Sequence, residues 1–351
     1  MNRREIEAVI EHSCSRLMKM ADPPVKYWLM LYVRGKGESD PDVQLELEQT
    51  RRYPPRIKLL KAMREDGTWP ISERRKTAED SGFGPPHGWT YMTMLRNLDW
   101  LHYYCATVDD GFIDASLEKM LSWQTEEGYI GGPTVDLIPR PYYNGLTLSL
   151  LLKYGRSRRD SRIERLIDWI MRTQRHDGGW NIPYLQDVKY QPEYKHMKTR
   201  DFINLVHEGR IPYDPKAFDD IPSCYWSTAG VLTGMVWMLD DPRIANIKRG
   251  GSFVLDGFFK KNYHPTFYRS ESHWTTLKYP SYSGSGYWAL DSLLYLGFGP
   301  DDPRTERPIQ WLVEARDKDG FWYHKERPDR LSDQWITAMA LMILRRYTSM
   351  M

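Results

Sequence analysis

At 351 residues the chain is long enough to bury a substantial core, and its 49 Lys and Arg are interspersed with 47 Asp and Glu, a pattern that offers no basic stripe for nucleic acid. Three cysteines, Cys14, Cys105 and Cys224, have neither metal-type spacing nor the even count of a disulfide framework, and the first residues lack the apolar core of a signal peptide. No apolar run approaches the ~20 residues that span a bilayer, so the expectation is a cytoplasmic chain forming a single domain over 1–351, with no metal and no cofactor.

Residues 5–20 carry Ile6, Val9, Ile10, Leu17 and Met18 at helical spacing, and Asp22-Pro23-Pro24 stops that helix. Segment 25–33 is apolar nearly all round. A helix over 42–63 is interrupted at Pro54-Pro55, a charged Gly/Pro-rich loop covers 70–88, and a second nearly all-apolar helix spans 89–105. From there amphipathic and all-apolar helices alternate. Segment 115–123 has one apolar face, whereas 142–153, with Leu146, Leu148, Leu150, Leu151 and Leu152, is apolar on every face and reads as buried on all sides. Ile163, Leu166, Ile167, Ile170 and Met171 return to a single face. Further inner helices fall at 228–239, 288–296 and 334–347, with outer partners at about 244–259 and 307–315, and counting the first helix as outer this gives six outer and six inner helices. Two long connections, 181–222 and 264–286, break the regularity, and their aromatic content marks them as ordered.

Two punctuations repeat. One is a turn, Gln174-Arg175-His176-Asp177-Gly178-Gly179-Trp180, with altered copies at Asp66-Gly67-Thr68-Trp69, Gln124 to Tyr129 and Asp319-Gly320-Phe321-Trp322. In each, Gly supplies the left-handed conformation that ends a helix and the aromatic folds back on the helix ends. The other is Asp160-Ser161-Arg162, Asp241-Pro242-Arg243 and Asp302-Pro303-Arg304, where Asp or Ser can cap and Pro can open the next outer helix. A period of tens of residues means stacked supersecondary units.

The Gln174, Gly178 and Trp180 pattern resembles the repeats of squalene and oxidosqualene cyclases and of protein prenyltransferase β subunits, over roughly 56–347. The resemblance implies an all-α (α/α)6 toroid, a double-walled barrel of six hairpins around a central cavity.

On that architecture the turns place six inner N-termini at one rim, attractive to anions such as diphosphate. The candidate substrate-binding residues there are Trp28, Trp89, Tyr142, Tyr143, Tyr225, Trp226, Tyr287, Trp288 and Trp335, an aromatic cup suited to a small apolar isoprenoid or lipid. Candidate catalytic residues are Asp333, Asp220, Cys224 and His87, and His273 also faces the expected cavity. The Asp-x-Asp-Asp acid cluster of alkene-protonating cyclases is absent: Cys224 to Ala229 keeps only the following Thr-Ala, and Asp333 to Ala338 keeps one acid. The prenyltransferase zinc set is incomplete, since Pro222 replaces the Asp two residues before Cys224 and no His follows His324. The primary reading is a terpenoid cyclase-like or prenyl-handling enzyme. The alternatives are a non-catalytic toroid that binds a lipid or protein, and a polysaccharide lyase or glycosidase in which Trp and Tyr stack sugars.

Overall fold

The structure, a computed structural model, describes residues 1–80, 87–133, 139–182, 193–197, 199–212, 220–263, 268–279, 284–324, 326 and 328–351. Asp219 and much of both long connections lie outside them. Among the described residues the chain is all-helical, with no strand.

The helices are α1 (Arg3–Met20), α2 (Pro23–Tyr32), α3 (Pro41–Arg51), α4 (Pro54–Lys61), α5 (Glu73–Asp80), α6 (Gly88–Tyr103), α7 (Ile113–Leu121), α8 (Pro141–Lys153), α9 (Ser161–Arg172), α10 (Thr199–His207), α11 (Tyr225–Met235), α12 (Ile244–Asp256), α13 (Glu271–Thr275), α14 (Gly286–Tyr295), α15 (Glu306–Glu314) and α16 (Arg330–Ser349). Proline opens α2, α3, α4 and α8, where its missing N–H leaves no helical bond unmade. The segment expected as one interrupted helix over 42–63 is two, because Pro54 bars Tyr53 from helical geometry. The expected loop at 70–88 contains α5, whose Glu, Arg and Lys residues favour helix without supplying a buried face. Short helices α10 and α13 likewise stand inside the two long connections.

Six helices, α2, α6, α8, α11, α14 and α16, form an inner ring. Neighbours pack in the order α2–α16–α14–α11–α8–α6, and Trp28 of α2 closes the circle by donating its indole N–H to the Tyr103 carbonyl of α6 at 2.8 Å. Burial follows this position: every residue of α8 from Pro141 to Leu151 is buried, while α9 buries only Ile163, Leu166, Ile167, Trp169 and Ile170. The first and last hairpins are clasped at Asp22, whose carboxylate accepts from Tyr53 Oη at 2.7 Å and Gln334 Nε2 at 2.8 Å.

The repeated turns act identically in three places. Trp69, Trp180 and Trp322 each donate the indole N–H to the carbonyl ten residues earlier, on Leu59, Ile170 and Leu312, at 2.9, 2.7 and 2.6 Å. Gly67, Gly128, Gly178 and Gly320 all have positive φ. A Cβ on them would strike α7 at Ser116, α9 at Arg165, α12 at Arg249 and α1 at Ser13, respectively, so each turn sits on the next outer helix and the last sits on the first. Gln124 and Gln174 reach across the same seams to the carbonyls of Arg162 and Asn246, both at 2.7 Å. After α12 the glycine is replaced by Phe259, at φ 67, and Trp274 of α13 donates to the Lys260 carbonyl at 2.8 Å instead.

The Asp-x-Arg punctuation is a second clasp. Arg162, Arg243 and Arg304 each fork back onto the capping Asp two residues earlier and also reach the preceding outer helix, at Glu118, Asp168 and Asp256. These pairs are half-exposed, worth about 0–1 kcal/mol each, so they set register more than stability.

The tightest seam joins α8 and α11, where Gly145, Gly230 and Gly234 let the backbones touch. A methyl on Gly145 would collide with the Gly230 carbonyl and Val231 Cα, neither of which can yield as a side chain would. Overpacking of this kind costs up to about 3 kcal/mol against roughly 1 gained in helix propensity. Gly145→Ala is therefore expected to lower unfolding free energy by about 2 kcal/mol in urea denaturation, and Gly37→Ala, which meets only Ser39 Oγ at 4.0 Å, to change it by less than about 0.5.

Candidate functional site

The N-terminal end of the inner ring is filled by its own aromatics. Tyr142 stacks on Trp226 at 3.8 Å and meets the edge of Tyr143 at 5.0 Å, and His87 packs on Tyr91 at 4.8 Å and Tyr143 at 5.1 Å. Trp335 lies parallel to Tyr279 at 5.7 Å, and the Tyr287 hydroxyl donates to the Lys278 carbonyl. Among the described residues no open cup is present at this end, because the rings that were to line it pack on one another.

The cavity is at the other end, between the C-terminal halves of the inner helices, and measures about 250 Å³. Its walls are aromatic and aliphatic: Trp28 and Tyr32 from α2, Leu95, His102 and Tyr103 from α6, Leu146 and Leu150 from α8, Val236 and Trp237 after α11, Trp288 and Tyr295 from α14, and Met339 and Met342 from α16. Tyr103 forms part of the floor, its far side packed on Trp335 at 5.2 Å and Tyr279 at 5.9 Å. Tyr32, Trp237 and Tyr295, 47, 45 and 40% exposed, stand at the mouth.

Two ion pairs cross the wall. Asp99 of α6 meets Lys153 of α8 at 3.1 Å, and Asp291 of α14 meets Arg346 of α16; all four side chains are less than 20% exposed. Both cations also lie over rings, Lys153 Nζ 5.1 Å from the Tyr103 centroid and Arg346 Cζ 3.4 Å from that of Tyr295. His102, against Trp28 at 5.5 Å and Tyr154 at 5.9 Å, is kept neutral by burial and then by the nearby Lys153 charge, which push its pKa well down. Ser149, 3% exposed, lies on the cavity lining, and its buried hydroxyl has no hydrogen-bond partner among the described residues.

Of the residues anticipated from sequence, Trp28 and Trp288 stand on the cavity wall. Tyr142, Tyr143, Trp226, Tyr287 and Trp335 are buried in the aromatic plug. Trp89 lies beneath the Arg75 guanidinium at 4.5 Å, and Tyr225 packs toward the outer wall on Phe253 at 4.9 Å. Asp333 accepts backbone N–H bonds from His324 at 3.1 Å and Asp329 at 3.0 Å, tying the preceding loop to α16. Asp220 is exposed. Cys224 is fully buried, its sulfur accepting from Ser227 N–H and Asn262 Nδ2, and burial pushes its thiol up to about 11, the opposite of an activated nucleophile. His273 accepts from the Arg269 N–H at 2.9 Å, outside the cavity wall. The Thr228 and Thr337 hydroxyls accept the backbone N–H of Trp180 and Trp322, so the Thr-Ala dipeptide anchors turns here.

Sequence reasoning overlooked Asp99, His102, Lys153, Asp291 and Arg346. The available signal is a charge or imidazole set among mostly apolar residues of an inner helix, and it carries no repeat spacing that would mark it as a site. Among the described residues no three His, Cys, Asp or Glu side chains are grouped to hold a metal.

His87 gives a pH test of the plug. Burial is the main cause that depresses it from 6.5 to about 3, and its Nε2 has no hydrogen-bond partner among the described residues. The unfolded chain therefore takes up the proton first on acidification. His87's contribution is intact above about pH 6.5 and is lost as the pH falls toward 3. In His87→Gln the unfolding free energy should fall less steeply than in the parent between about pH 6 and 4, measured by urea titration at each pH. Asp333→Asn, which weakens acceptance of two N–H bonds, should cost about 1–2 kcal/mol while leaving ligand binding within about twofold.

No known protein family matches the sequence, and no curated protein matches it. Among solved structures the chain is similar to a variant of type II terpene cyclase MstE from Scytonema in complex with its substrate, geranylgeranyl dihydroxybenzoate. The identity is 13% and the TM-score 0.30, over 87% of this chain and 98% of that one. It is also similar to the apo form of MstE, at 14% identity and TM-score 0.29 over 87% and 99%. The toroidal arrangement described above rests on the chain's own contacts rather than on this likeness.

Proposed function

We propose that the chain is an isoprenoid-handling protein that holds a short apolar ligand in the cavity at the C-terminal ends of its inner helices. One observation carries this reading: a cavity of about 250 Å³, walled by aromatic and aliphatic side chains, floored by Tyr103 and open at a rim of exposed aromatics. Pockets of that make-up, with a few polar groups set among rings, are where small apolar molecules bind.

Size narrows the ligand. A cavity of about 150 Å³ holds a benzene ring, so this one holds a body of roughly ten carbons. Trp28 and Trp288 then contact the hydrocarbon, as does the free edge of Tyr103. Alkene protonation requires an acid kept protonated by its surroundings, as by a cluster of acids. The carboxylates on this wall stand against cations instead, so the reading concerns binding and positioning, not proton donation. The glycan alternative is weaker for the same reason, since a glycosidase needs a carboxyl pair flanking its substrate.

Equilibrium dialysis with geraniol and geranylgeraniol tests the proposal. Geraniol should bind saturably at one site and geranylgeraniol at least about tenfold more weakly, and Ser292→Trp, which projects bulk from a buried wall position, should abolish geraniol binding without changing the helical circular-dichroism signal. Equal binding of geraniol to Ser292→Trp would remove the cavity as the site.

A further inference from the structure

Three of the inner helices line the cavity with the same gradient. Along α8 the wall runs from Leu146 to Lys153, along α14 from Trp288 to Tyr295 and along α16 from Met339 to Arg346. Each span is two helical turns, about 10 Å, and in each the C-terminal member, on the side of the mouth, carries the polar or charged group. At the inner level the indole N–H of Trp288 is the one polar hydrogen among these side chains. A ligand with a single polar end therefore seats its hydrocarbon inward and leaves that end among the charges.

Those charges are two internally neutral pairs, and neither is saturated. Asp99 meets Lys153 through Oδ1 at 3.1 Å, and Asp291 meets Arg346 through Oδ1 and one guanidinium nitrogen. The second oxygen of each carboxylate and the remaining N–H groups of each cation have no hydrogen-bond partner among the described residues. All four side chains lie on the cavity lining with 15–19% of their surface exposed. A cation arriving here meets Lys153 and Arg346, and an anion meets Asp99 and Asp291. The neighbouring ionisable groups show the same rejection of either sign: His102 is pushed well down by burial and then by Lys153, and Tyr103 well up by burial and then by Asp99 and Asp291. A hydroxyl suits the place, because it donates to a carboxylate oxygen and accepts from an ammonium or guanidinium at once. Bonds of that kind, with one partner ionised, are roughly twice as strong as neutral ones.

We propose that the ligand of this cavity is an uncharged terpenoid alcohol, bound hydrocarbon end first, with its hydroxyl between the carboxylate and the cation of one of the two pairs near the mouth. This rests on the cavity reading above. It differs from the anion preference expected from sequence, which belonged to the opposite helix ends.

Sealed equilibrium dialysis at pH 7 compares geraniol with four relatives: myrcene, which lacks the oxygen, geranyl methyl ether, which lacks the O–H, geranylamine and geranyl monophosphate. A merely apolar pocket ranks ligands by the apolar area they bury and prefers myrcene, whereas here geraniol should bind at least about fivefold more tightly than each of the four. Replacing a whole buried pair by apolar groups of similar volume is often neutral in stability. Asp99→Leu with Lys153→Met, and Asp291→Leu with Arg346→Met, should thus keep the helical circular-dichroism signal, and one of the two should bring geraniol and myrcene within about twofold of each other. Should a double variant fail to fold, the ranking on the parent chain decides. If any of the four relatives binds the parent as tightly as geraniol, or both double variants keep geraniol's lead, the alcohol inference falls and the cavity reading stands. If none of the five binds, or geraniol binds Ser292→Trp as it binds the parent, both fall.

Discussion

The glycine at the apex of each repeated turn lets the chain rest directly on the next outer helix, against backbone at Gly67, Gly128 and Gly178 and against the Ser13 and His12 side chains at Gly320. The remainder of the drum follows from that contact. Gly320 makes it against Ser13, so the last hairpin is seated on the first and the series closes instead of extending as a solenoid. The tryptophan of the turn anchors it from behind, through an indole bond to a carbonyl ten residues back, and burying an unpaired indole N–H there would cost on the order of 1–3 kcal/mol. The glycine sets how close the helices come and the tryptophan fixes the angle.

Closure aligns the inner helices, and alignment makes the two ends of the barrel chemically different. At the starting end the residues following each turn are bulky aromatics, and they fill the bore: Tyr142 on Trp226, His87 between Tyr91 and Tyr143, Trp335 on Tyr279. At the finishing end the aromatics stand back as walls, Trp28, Tyr103, Trp288 and Tyr295 among them, with Ser149, Thr233, Met339, Met342 and the two ion pairs between, and space remains. The pairs cost desolvation where they are, and removing one partner of either would leave a charge on a mostly apolar wall.

Much of this was legible in the linear chain. The alternation of one-faced and all-round apolar segments gave the helices and their inner or outer rank, because burial on one side or on every side is a property each segment carries in its own composition. The hairpin count and the turns followed from Gly178, Trp180 and their copies. The helix at 73–80 has no apolar stripe to announce it in the sequence, and Pro54 separates two helices where the apolar pattern on its two sides suggests one.

The sequence by itself determined the element order, the repeat and the aromatic wealth of the inner helices, since those depend on neighbours within a few residues. Which end of the barrel would be hollow was decided only by tertiary structure. Whether Tyr142 lines a void or stacks on Trp226 depends on the distance between α8 and α11, and that distance is set by Gly145, Gly230 and Gly234 meeting across about eighty residues of chain. The same holds for Asp99 with Lys153 and Asp291 with Arg346: each charge sits on a different inner helix from its partner and is paired only when the ring closes.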